Sequence, residues 1–270
     1  MNQKPSVLGS VATAIAVYIA ASGGAIAAES DATKGYVNFG FYKVDQDQRA
    51  AYELLMTEFI GPLMQKRVDE GCLNAWIFRR VLPNSSVYGQ FTHITVDVMP
   101  PGESGYWDCN AKLQEVYPGL GGKVRRYLFE ERNRLREVVH RVRTEYVAGY
   151  NTLQKAPPIA VFNLSKAKSN QYEAKHRDGF ADFFKQGSNA VAWHAMKRID
   201  PTAWATEEWD YLTIDCFENV AQMAKPVSFS QAGQKYYLEK YGPGPEQRDI
   251  LLRADTRLVF ATENPGASDE

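Results

Sequence analysis

The chain has few of the residues that mark many common catalytic and binding sites. It has 270 residues but only three cysteines and four histidines. No two cysteines have metal-site spacing, and no zinc-protease, nucleophile-elbow or phosphate-loop motif occurs. No block of basic residues stands out, and the formal net charge is −1. The sequence therefore predicts no metal site and no nucleic-acid partner.

Cysteine is scarce enough that disulfides can supply at most one crosslink. The three residues are Cys72, Cys109 and Cys216. In an oxidising compartment one disulfide can form and one thiol is left over. Burial as apolar thiols is the simpler interpretation for Cys72 and Cys216. The sequence alone leaves the disulfide state open.

A long apolar run occurs once, at the N terminus. It begins at Val7 after Lys4 and ends in Ala25-Ile26-Ala27, a small-x-small cleavage signal. We expect a secretory signal over residues 1–27 and a periplasmic or secreted mature protein. The alternative is an uncleaved membrane anchor. No other segment is apolar enough to span a bilayer, so we expect no stable membrane insertion after cleavage.

Aromatic residues are plentiful, with 15 Tyr and 13 Phe, which suggests an aromatic-lined interior or groove. The strand-like segment FTHITVDVM (91–99) combines such residues with ionisable ones. Successive side chains of a strand point to opposite sides. One face therefore holds Phe91, His93, Thr95 and Asp97, and the other holds Thr92, Ile94, Val96 and Val98. We expect the apolar face to pack on helices and the mixed face to be buried elsewhere.

Similar segments recur about 118 residues further along the chain. WDYLTIDCF (209–217) repeats the alternation and aligns Tyr211 with His93. GSNAVAWHAMKRIDP (187–201) resembles GCLNAWIFRRVLP (71–83), and Arg80 aligns with Arg198. YVNFGFYKV with IAVFNLSKA, and REVVHRVRTEYV with RDILLRADTRLV, match in the same order. Four matches in one order predict a tandem duplication, with copies at 28–154 and 155–264 and a flexible tail at 265–270.

Each copy reads strand, helix, strand, strand, helical region, strand, which is the order of a ferredoxin-like unit. In the first copy we expect strands near 36–43, 74–82, 91–99 and 144–151, a helix over 46–70 and a helical region over 108–142. In the second we expect strands near 158–165, 191–199, 209–217 and 256–262, and helices near 168–186, 218–224, 229–241 and 246–254. A sheet with helices on one face must also bury its other face, and two units can do so by packing sheet on sheet.

This element order resembles the dimeric α+β barrel superfamily, which includes antibiotic-monooxygenase-like, NIPSNAP-like and stress-responsive A/B barrel proteins. The resemblance covers most of residues 35–264 and includes no diagnostic catalytic motif. It implies an α+β fold in which two tandem ferredoxin-like units form a pseudo-dimeric barrel around a cavity. Some of these barrels bind haem through a histidine on a helix after the sheet. His140 is the nearest candidate, although its charged neighbours favour a solvated helix.

We expect the mixed faces to point into the space between the sheets, where a small apolar or aromatic molecule would bind. His93 is the predicted base, Tyr211 the hydrogen-bond donor to an oxyanion and Asp97 a group that orients the histidine. The predicted substrate-binding residues are Asn38, Tyr42, Trp76, Arg80, His194, Arg198 and Asp215. Purely structural roles stay open for all of these residues, including a hydrogen-bonded core histidine and Asp–Arg ion pairs.

Two functions remain open at this point. The first is an exported enzyme that needs no cofactor and moves a proton at a carbon next to a carbonyl or phenol, as a cyclase, lyase or monooxygenase would. The second is a non-catalytic periplasmic ligand-binding or accessory protein. Two Glu-x-x-His steps, Glu137–His140 and Glu173–His176, lie at non-equivalent places in the copies and do not predict a metal site. The oligomeric state is not predicted.

Overall fold

Eight antiparallel strands form a closed barrel. The computed structural model describes residues 35–100, 113–151, 155–175, 189–200, 209–225, 231–242 and 248–263. The strands are β1 (Tyr36–Lys43), β2 (Ala75–Val81), β3 (His93–Val98), β4 (Glu137–Asn151), β5 (Ile159–Ala167), β6 (Ala192–Arg198), β7 (Tyr211–Phe217) and β8 (Arg248–Ala261). The predicted signal, Cys109 and the predicted tail lie outside the described residues.

The barrel consists of two tandem ferredoxin-like units, which confirms the predicted fold class. The strand order is β4-β1-β3-β2 in the first unit and β8-β5-β7-β6 in the second. Two seams, β2 with β8 and β4 with β6, join the units and close the barrel. The unit boundaries at 28–154 and 155–264 stay a prediction.

Helices cover the outside of the sheet. In the first unit a 3₁₀ turn (Gln46–Gln48), α1 (Arg49–Leu55), a π-helical turn (Met56–Ile60) and α2 (Gly61–Asp69) follow one another without a break, and α3 (Leu113–Val116) and α4 (Gly122–Arg134) come later. In the second unit the described helices are α5 (Tyr172–Lys175), α6 (Val220–Met223) and α7 (Gln231–Tyr241). Within the described ranges, no helix is long and apolar enough to cross a membrane.

Two segments that the sequence predicts as helical are strands. The predicted helical region 108–142 ends in the first residues of β4, and the predicted helix 246–254 falls mostly on β8. β4 pairs with both β1 and β6, and β8 pairs with both β5 and β2. Each is therefore long enough to belong to both units, and this pairing outweighs the local helical pattern. His140, the predicted haem candidate, consequently lies on a strand.

The barrel interior is an apolar core built from alternate residues of every strand. From β3 it takes Ile94, Val96 and Val98, which the sequence analysis placed against the helices. That prediction is wrong because the closed interior is shielded from water on all sides, so it takes the more apolar of the two faces of β3. Polar groups are accommodated on the outer face, where they can form hydrogen bonds with helix side chains or, at the rim, with solvent. The interior is a packed core and not the predicted chamber.

One strand of the second unit is also out of the predicted register. β3 pairs Arg80 with His93, and β7 pairs Lys197 with Tyr211, so Lys197 and not Arg198 corresponds to Arg80. A shift of one residue moves every side chain of a strand to the other face. His194 therefore points into the barrel with its neighbours Ala192 and Met196.

The interior position of Ile94 gives a test of the core assignment. Replacing Ile94, which is fully buried, by alanine should lower the free energy of unfolding by about 2–5 kcal/mol. Leu54 on α1 is 63% exposed, and its replacement by alanine should change stability by about 0.5 kcal/mol or less. Urea unfolding followed by tryptophan fluorescence measures both values. Equal losses at the two positions would contradict the assignment.

Candidate functional site

The candidate site is a cavity of about 590 Å³ outside the barrel, between the sheet of the first unit and its covering helices. Four predicted site residues, all on the outer face of the sheet, line it: Asn38, Tyr42, Trp76 and Asp97. The other lining residues are Phe39, Gly40, Met56, Ile60, Met64, Arg67, Thr95, Arg132, Arg136, Arg141, Val142, Arg143 and Asp200. The structure brings these four residues together, but the space they share lies on the opposite side of the sheet from the predicted one.

The floor of the cavity is a row of side chains across four strands. Strand pairing sets Trp76 beside Asp97, Asp97 beside Asn38 and Asn38 beside Arg143. Paired residues on the same face of a sheet are close enough to interact directly. An indole, a carboxylate, an amide and a guanidinium thus follow one another along one wall.

Gly40 makes room for Tyr42 on this floor. A Cβ at position 40 would collide with the Tyr42 hydroxyl and would lie 2.7 Å from Thr95 Oγ1. The Tyr42 ring therefore lies back over the glycine, and its hydroxyl is 3.4 Å from Thr95 Oγ1. The absence of a side chain at position 40 fixes where this phenol sits in the cavity wall.

Arg136 spans the two tyrosines at the side of the cavity. Its guanidinium carbon lies 4.1 Å from the ring centroid of Tyr42, a cation–π contact, and its Nη1 donates to the Tyr52 hydroxyl at 3.2 Å. Burial raises the pKa of Tyr52 to about 12, against the opposing effect of Arg136, so this phenol stays neutral near pH 7. The buried Nε of Arg136 has no hydrogen-bond partner among the described residues.

The roof of the cavity is mainly apolar. Met56 and Ile60 come from the π-helical turn and Met64 from α2. A single π turn within an α-helix shifts which side chains face the sheet, and such turns are frequent at functional sites. Arg132 enters from α4, and its pKa is lowered to about 10, first by burial and then by the nearby positive charge of Arg136. Methionine, isoleucine and tryptophan together give the cavity walls that suit an apolar or aromatic body.

His93 does not line the cavity but belongs to a buried cluster beside it. The ring is fully buried, its Nδ1 lies 2.9 Å from Thr92 Oγ1 and its Nε2 lies 2.9 Å from Glu53 Oε1. Arg80 also donates to Glu53, with Nε at 2.5 Å from Oε1. Both ring nitrogens are thus occupied, and the cluster fastens α1 to the sheet. No nitrogen of His93 faces a ligand.

The charges in this cluster follow from the partners of Glu53. Burial acts to raise the pKa of Glu53, but the hydrogen bonds from His93 and Arg80 outweigh it and hold the pKa at about 2. Burial lowers the pKa of His93, and Glu53 offsets part of that effect. The pair is therefore a carboxylate and a neutral imidazole that donates through Nε2 and accepts from the Thr92 hydroxyl at Nδ1.

Tyr211 occupies the corresponding place in the second unit. Its hydroxyl donates to Glu173 Oε2 at 3.1 Å, and Lys197 Nζ lies 2.7 Å from the same oxygen. The structure thus gives His93 and Tyr211 separate glutamate partners, one in each unit. The predicted catalytic group of His93, Tyr211 and Asp97 is not brought together.

The remaining predicted binding residues have partners elsewhere. Arg80 pairs with Glu53, and Arg198 stacks over Trp209 at 4.9 Å. Asp215 accepts a hydrogen bond of 2.8 Å from Asn163 Nδ2, and burial raises its pKa. His194 lies in the barrel core, where neither ring nitrogen has a hydrogen-bond partner among the described residues. His140 packs against Phe41, with ring centroids 5.8 Å apart.

Cys72 is in a disulfide, whereas Cys216 is a buried free thiol. The buried apolar thiol predicted for Cys216 is confirmed, and the same interpretation of Cys72 is wrong. A thiol within reach of a second cysteine oxidises in a suitable compartment, and sequence spacing carries no information about that distance.

Comparison with known proteins identifies the architecture. A candidate monooxygenase from Fusobacterium nucleatum superposes with a TM-score of 0.51 at 11% identity, over 88% of this chain and 98% of that chain. A candidate monooxygenase from Lactobacillus acidophilus gives 0.48 at 10% identity over 86% and 97%, and an anthrone oxidase-like protein gives 0.46 at 12% over 88% and 98%. No protein-family model and no curated protein matches the chain.

The chain has a ferredoxin-like α+β barrel fold. The α+β barrel here is completed within one chain, because its two ferredoxin-like units supply all eight strands. Its described cavity belongs mainly to the first unit, since the lining runs through β1 to β4 and the helices that cover them. The second unit adds Asp200, from the segment after β6.

Sequence reasoning missed the arginines of this α+β barrel. Arg141 and Arg143 lie in RLREVVHRVR, which was interpreted as a solvated helix. Their two-residue spacing, alternating with Val142 and Thr144, is the signal that would have identified a strand with one basic face. Arg132 lies on α4 and Arg136 between α4 and β4, and only the fold brings this pair to the strand arginines.

Two buried histidines and one half-buried histidine should make the protein less stable in acid. Burial lowers the pKa of His93, of His140 to about 3 and of His194 to about 4. Between these values and 6.5 the unfolded chain binds protons that the folded chain does not, so stability falls as pH falls below about 6.5. His194 alone should account for about 2 kcal/mol between pH 7.5 and pH 5. Urea unfolding at both pH values measures the loss.

The control for this effect is His194→Leu. Because the His194 ring makes no hydrogen bond within the described residues, leucine should be accepted in the apolar barrel. The variant should lose less stability than the wild type on going from pH 7.5 to pH 5. An unchanged loss would show that His194 does not contribute.

Position 40 should not accept any residue larger than glycine. Gly40→Ala forces Tyr42 out of its place, and we expect a loss of about 1–3 kcal/mol in unfolding free energy together with a change in the cavity wall. At Gly89 a Cβ would meet nothing within 4 Å, so Gly89→Ala is the matched control and should be nearly neutral. Thermal unfolding compares the two. Similar melting temperatures for both variants would contradict the proposed packing.

Proposed function

We propose that this protein is an enzyme with monooxygenase-like activity toward a small aromatic or apolar molecule bound in the cavity of the first unit. The observation that carries the proposal is the composition of one enclosed space. Trp76, Met56, Ile60 and Met64 give it apolar walls, and several guanidinium groups converge on it. Apolar walls with a few convergent polar groups are the usual make-up of a small-molecule site.

The proposed chemistry begins with loss of a proton from an activated carbon next to a carbonyl or on a phenol ring. The Asp97 carboxylate, on the cavity floor, would accept that proton. The Asn38 amide and the Arg136 guanidinium would stabilise the enolate or phenolate oxygen that forms. Donors already fixed in place stabilise such a charge without reorganising.

Molecular oxygen is the co-reactant in this proposal. The carbanion gives two electrons to oxygen and forms a hydroperoxide on that carbon. Loss of the second C–H proton then breaks the O–O bond, which takes up two more electrons and releases water, so that a CH₂ group and O₂ give a C=O group and H₂O. The substrate supplies all the electrons, and the proposed reaction therefore needs no cofactor. The monooxygenase names of the proteins from Fusobacterium nucleatum and Lactobacillus acidophilus accord with this class of reaction.

A second candidate is a binding or accessory protein that holds a ligand without converting it. One observation favours it: the full burial and double hydrogen bonding of His93 remove the side chain best suited to proton transfer near neutral pH. Asp97 is then the only predicted catalytic residue that lines the described cavity.

We also propose that the chain is exported and that its two units arose by duplication. The disulfide at Cys72 fits an oxidising compartment, as the predicted signal over residues 1–27 requires.

Matching contacts in the two units support duplication. Arg136 donates to the Tyr52 hydroxyl at 3.2 Å, and Arg248 donates to the Tyr172 hydroxyl at 3.2 Å.

Oxygen consumption tests the proposed reaction. The wild-type protein, supplied with a panel of anthrones and hydroxynaphthalenes, should consume oxygen and place one ¹⁸O atom from ¹⁸O₂ in the product. Asp97→Asn should lower kcat by about 100-fold or more with little effect on ligand affinity, because only the proton acceptor is lost. Asp249→Asn, at an exposed Asp paired with Lys168, is the matched control and should keep full activity.

The outcomes separate the two candidate functions. Ligand binding without oxygen consumption would contradict the proposed enzyme activity and support the binding-protein function instead. Full turnover in Asp97→Asn would remove Asp97 from the mechanism. An absence of both binding and turnover across the panel would overturn the cavity as a functional site.

A further inference from the structure

The lining of the cavity of the first unit carries more positive than negative charge. Its lining residues include five arginines and two aspartates, a surplus of three positive charges. The arginines are Arg67, Arg132, Arg136, Arg141 and Arg143. Because the cavity is partly shielded from water, like charges there repel more strongly than on an open surface.

Two of these arginines are held close together without a carboxylate. Arg132 contacts the Asn133 side chain at 3.2 Å and the Phe129 ring at 5.0 Å, and Arg136 contacts Tyr42 and Tyr52. Within the described part of the chain, neither forms an ion pair. The lowered pKa of Arg132 reflects its burial and the charge of Arg136 beside it. A partly buried charge of this kind is normally compensated, and no carboxylate among the described residues pairs with either arginine.

The second unit shows what a neutralised version of the same surface looks like. Gly40 pairs with Arg141 and Asn38 with Arg143 in the first unit, as Asn163 pairs with Arg253 and Val161 with Asp255 in the second. At the position of Arg143 the second unit therefore has Asp255, whose Oδ1 lies 3.0 Å from Arg253 Nε.

The same comparison shows how the second unit fills the space over its sheet. Asn163 takes the place of Gly40, and its side chain reaches Asp215 at 2.8 Å. The first unit has no side chain at this position, so the Tyr42 ring lies there instead. Where the second unit has an internal hydrogen bond and an ion pair, the first unit has a cavity, and its Arg141 and Arg143 form no ion pair with other described residues.

We propose that the cavity takes a planar aromatic anion, a carboxylate or phenolate, whose negative oxygen binds between Arg132 and Arg136 and whose ring packs against Trp76. The inference rests on the proposed function and specifies the substrate class of the same site. Guanidinium groups bind carboxylate and phenolate oxygens through charge-assisted hydrogen bonds, which are stronger than neutral ones. Even with Asp97 and Asp200 counted, the net charge of the cavity lining is positive. The two carboxylates repel an anion and so restrict where it can lie.

Two probes of equal shape separate charge from packing. 2-Naphthoate carries the negative charge, and 2-naphthamide presents the same ring with a neutral group. Isothermal titration of the full-length protein should give a dissociation constant for naphthoate at least about tenfold lower than for naphthamide, since one charge-assisted hydrogen bond supplies that much. The preference should weaken as salt concentration rises.

Variants of the arginines assign the preference to this site. Arg136→Gln and Arg132→Gln should each raise the dissociation constant of naphthoate by about tenfold or more and change that of naphthamide by about threefold or less. Arg136→Lys keeps the charge and should recover part of the preference. Arg143→Asp introduces the residue of the second unit and should abolish it. Arg257→Gln, at an exposed position outside the cavity lining, is the control and should leave both constants unchanged.

Each outcome bears on the proposal. Equal affinities for the two probes would overturn it, and so would a naphthoate preference that survives both glutamine substitutions in proteins with unchanged melting temperatures. Oxygen turnover of neutral substrates by a protein that does not prefer naphthoate would overturn the anion inference and leave the proposed function standing. Failure to bind either probe, with no turnover of any substrate, would overturn both.

Discussion

Closure of the barrel is the constraint on which the rest of the structure depends. The two seams, β2 with β8 and β4 with β6, leave no free edge and enclose a space that side chains from both units fill. An enclosed core of this kind accepts few polar groups without partners, so most ionisable residues of the strands lie on the outer face, and the buried Arg79 and His194 are exceptions. The polar clusters and the described cavity therefore lie between the sheet and the helices that cover it.

The sequence predicts the order of strands and helices better than it predicts which face of each strand points into the barrel. The alternation in FTHITVDVM correctly separates His93 and Asp97 from Ile94 and Val96, because the two-residue period of a strand is a local property. Which face points inward depends on what covers each face, and that is a property of the assembled sheets. The register error at Arg198 has the same origin, since one inserted residue between copies is invisible without the pairing partners.

The candidate site is predicted in part for the same reason. Asn38, Tyr42, Trp76 and Asp97 lie on neighbouring strands, and the predicted unit places them together. The arginines could not be grouped in advance, because Arg132 lies on α4 and Arg136 just beyond it, and their approach to Tyr42 depends on long-range packing. His93 shows the opposite case: a residue type suited to catalysis is taken up by Glu53 and Thr92 in fastening a helix.

The covalent join between the two units has a consequence for how such a barrel can change. When two identical chains assemble into a barrel, each mutation appears on both sides of the symmetry axis, and the two halves keep the same surface. In this chain Gly40 and Asn163, or Arg143 and Asp255, occupy matching positions yet differ, because each codon serves one half only. One half is then free to specialise while the other retains the rigid frame that holds it in place.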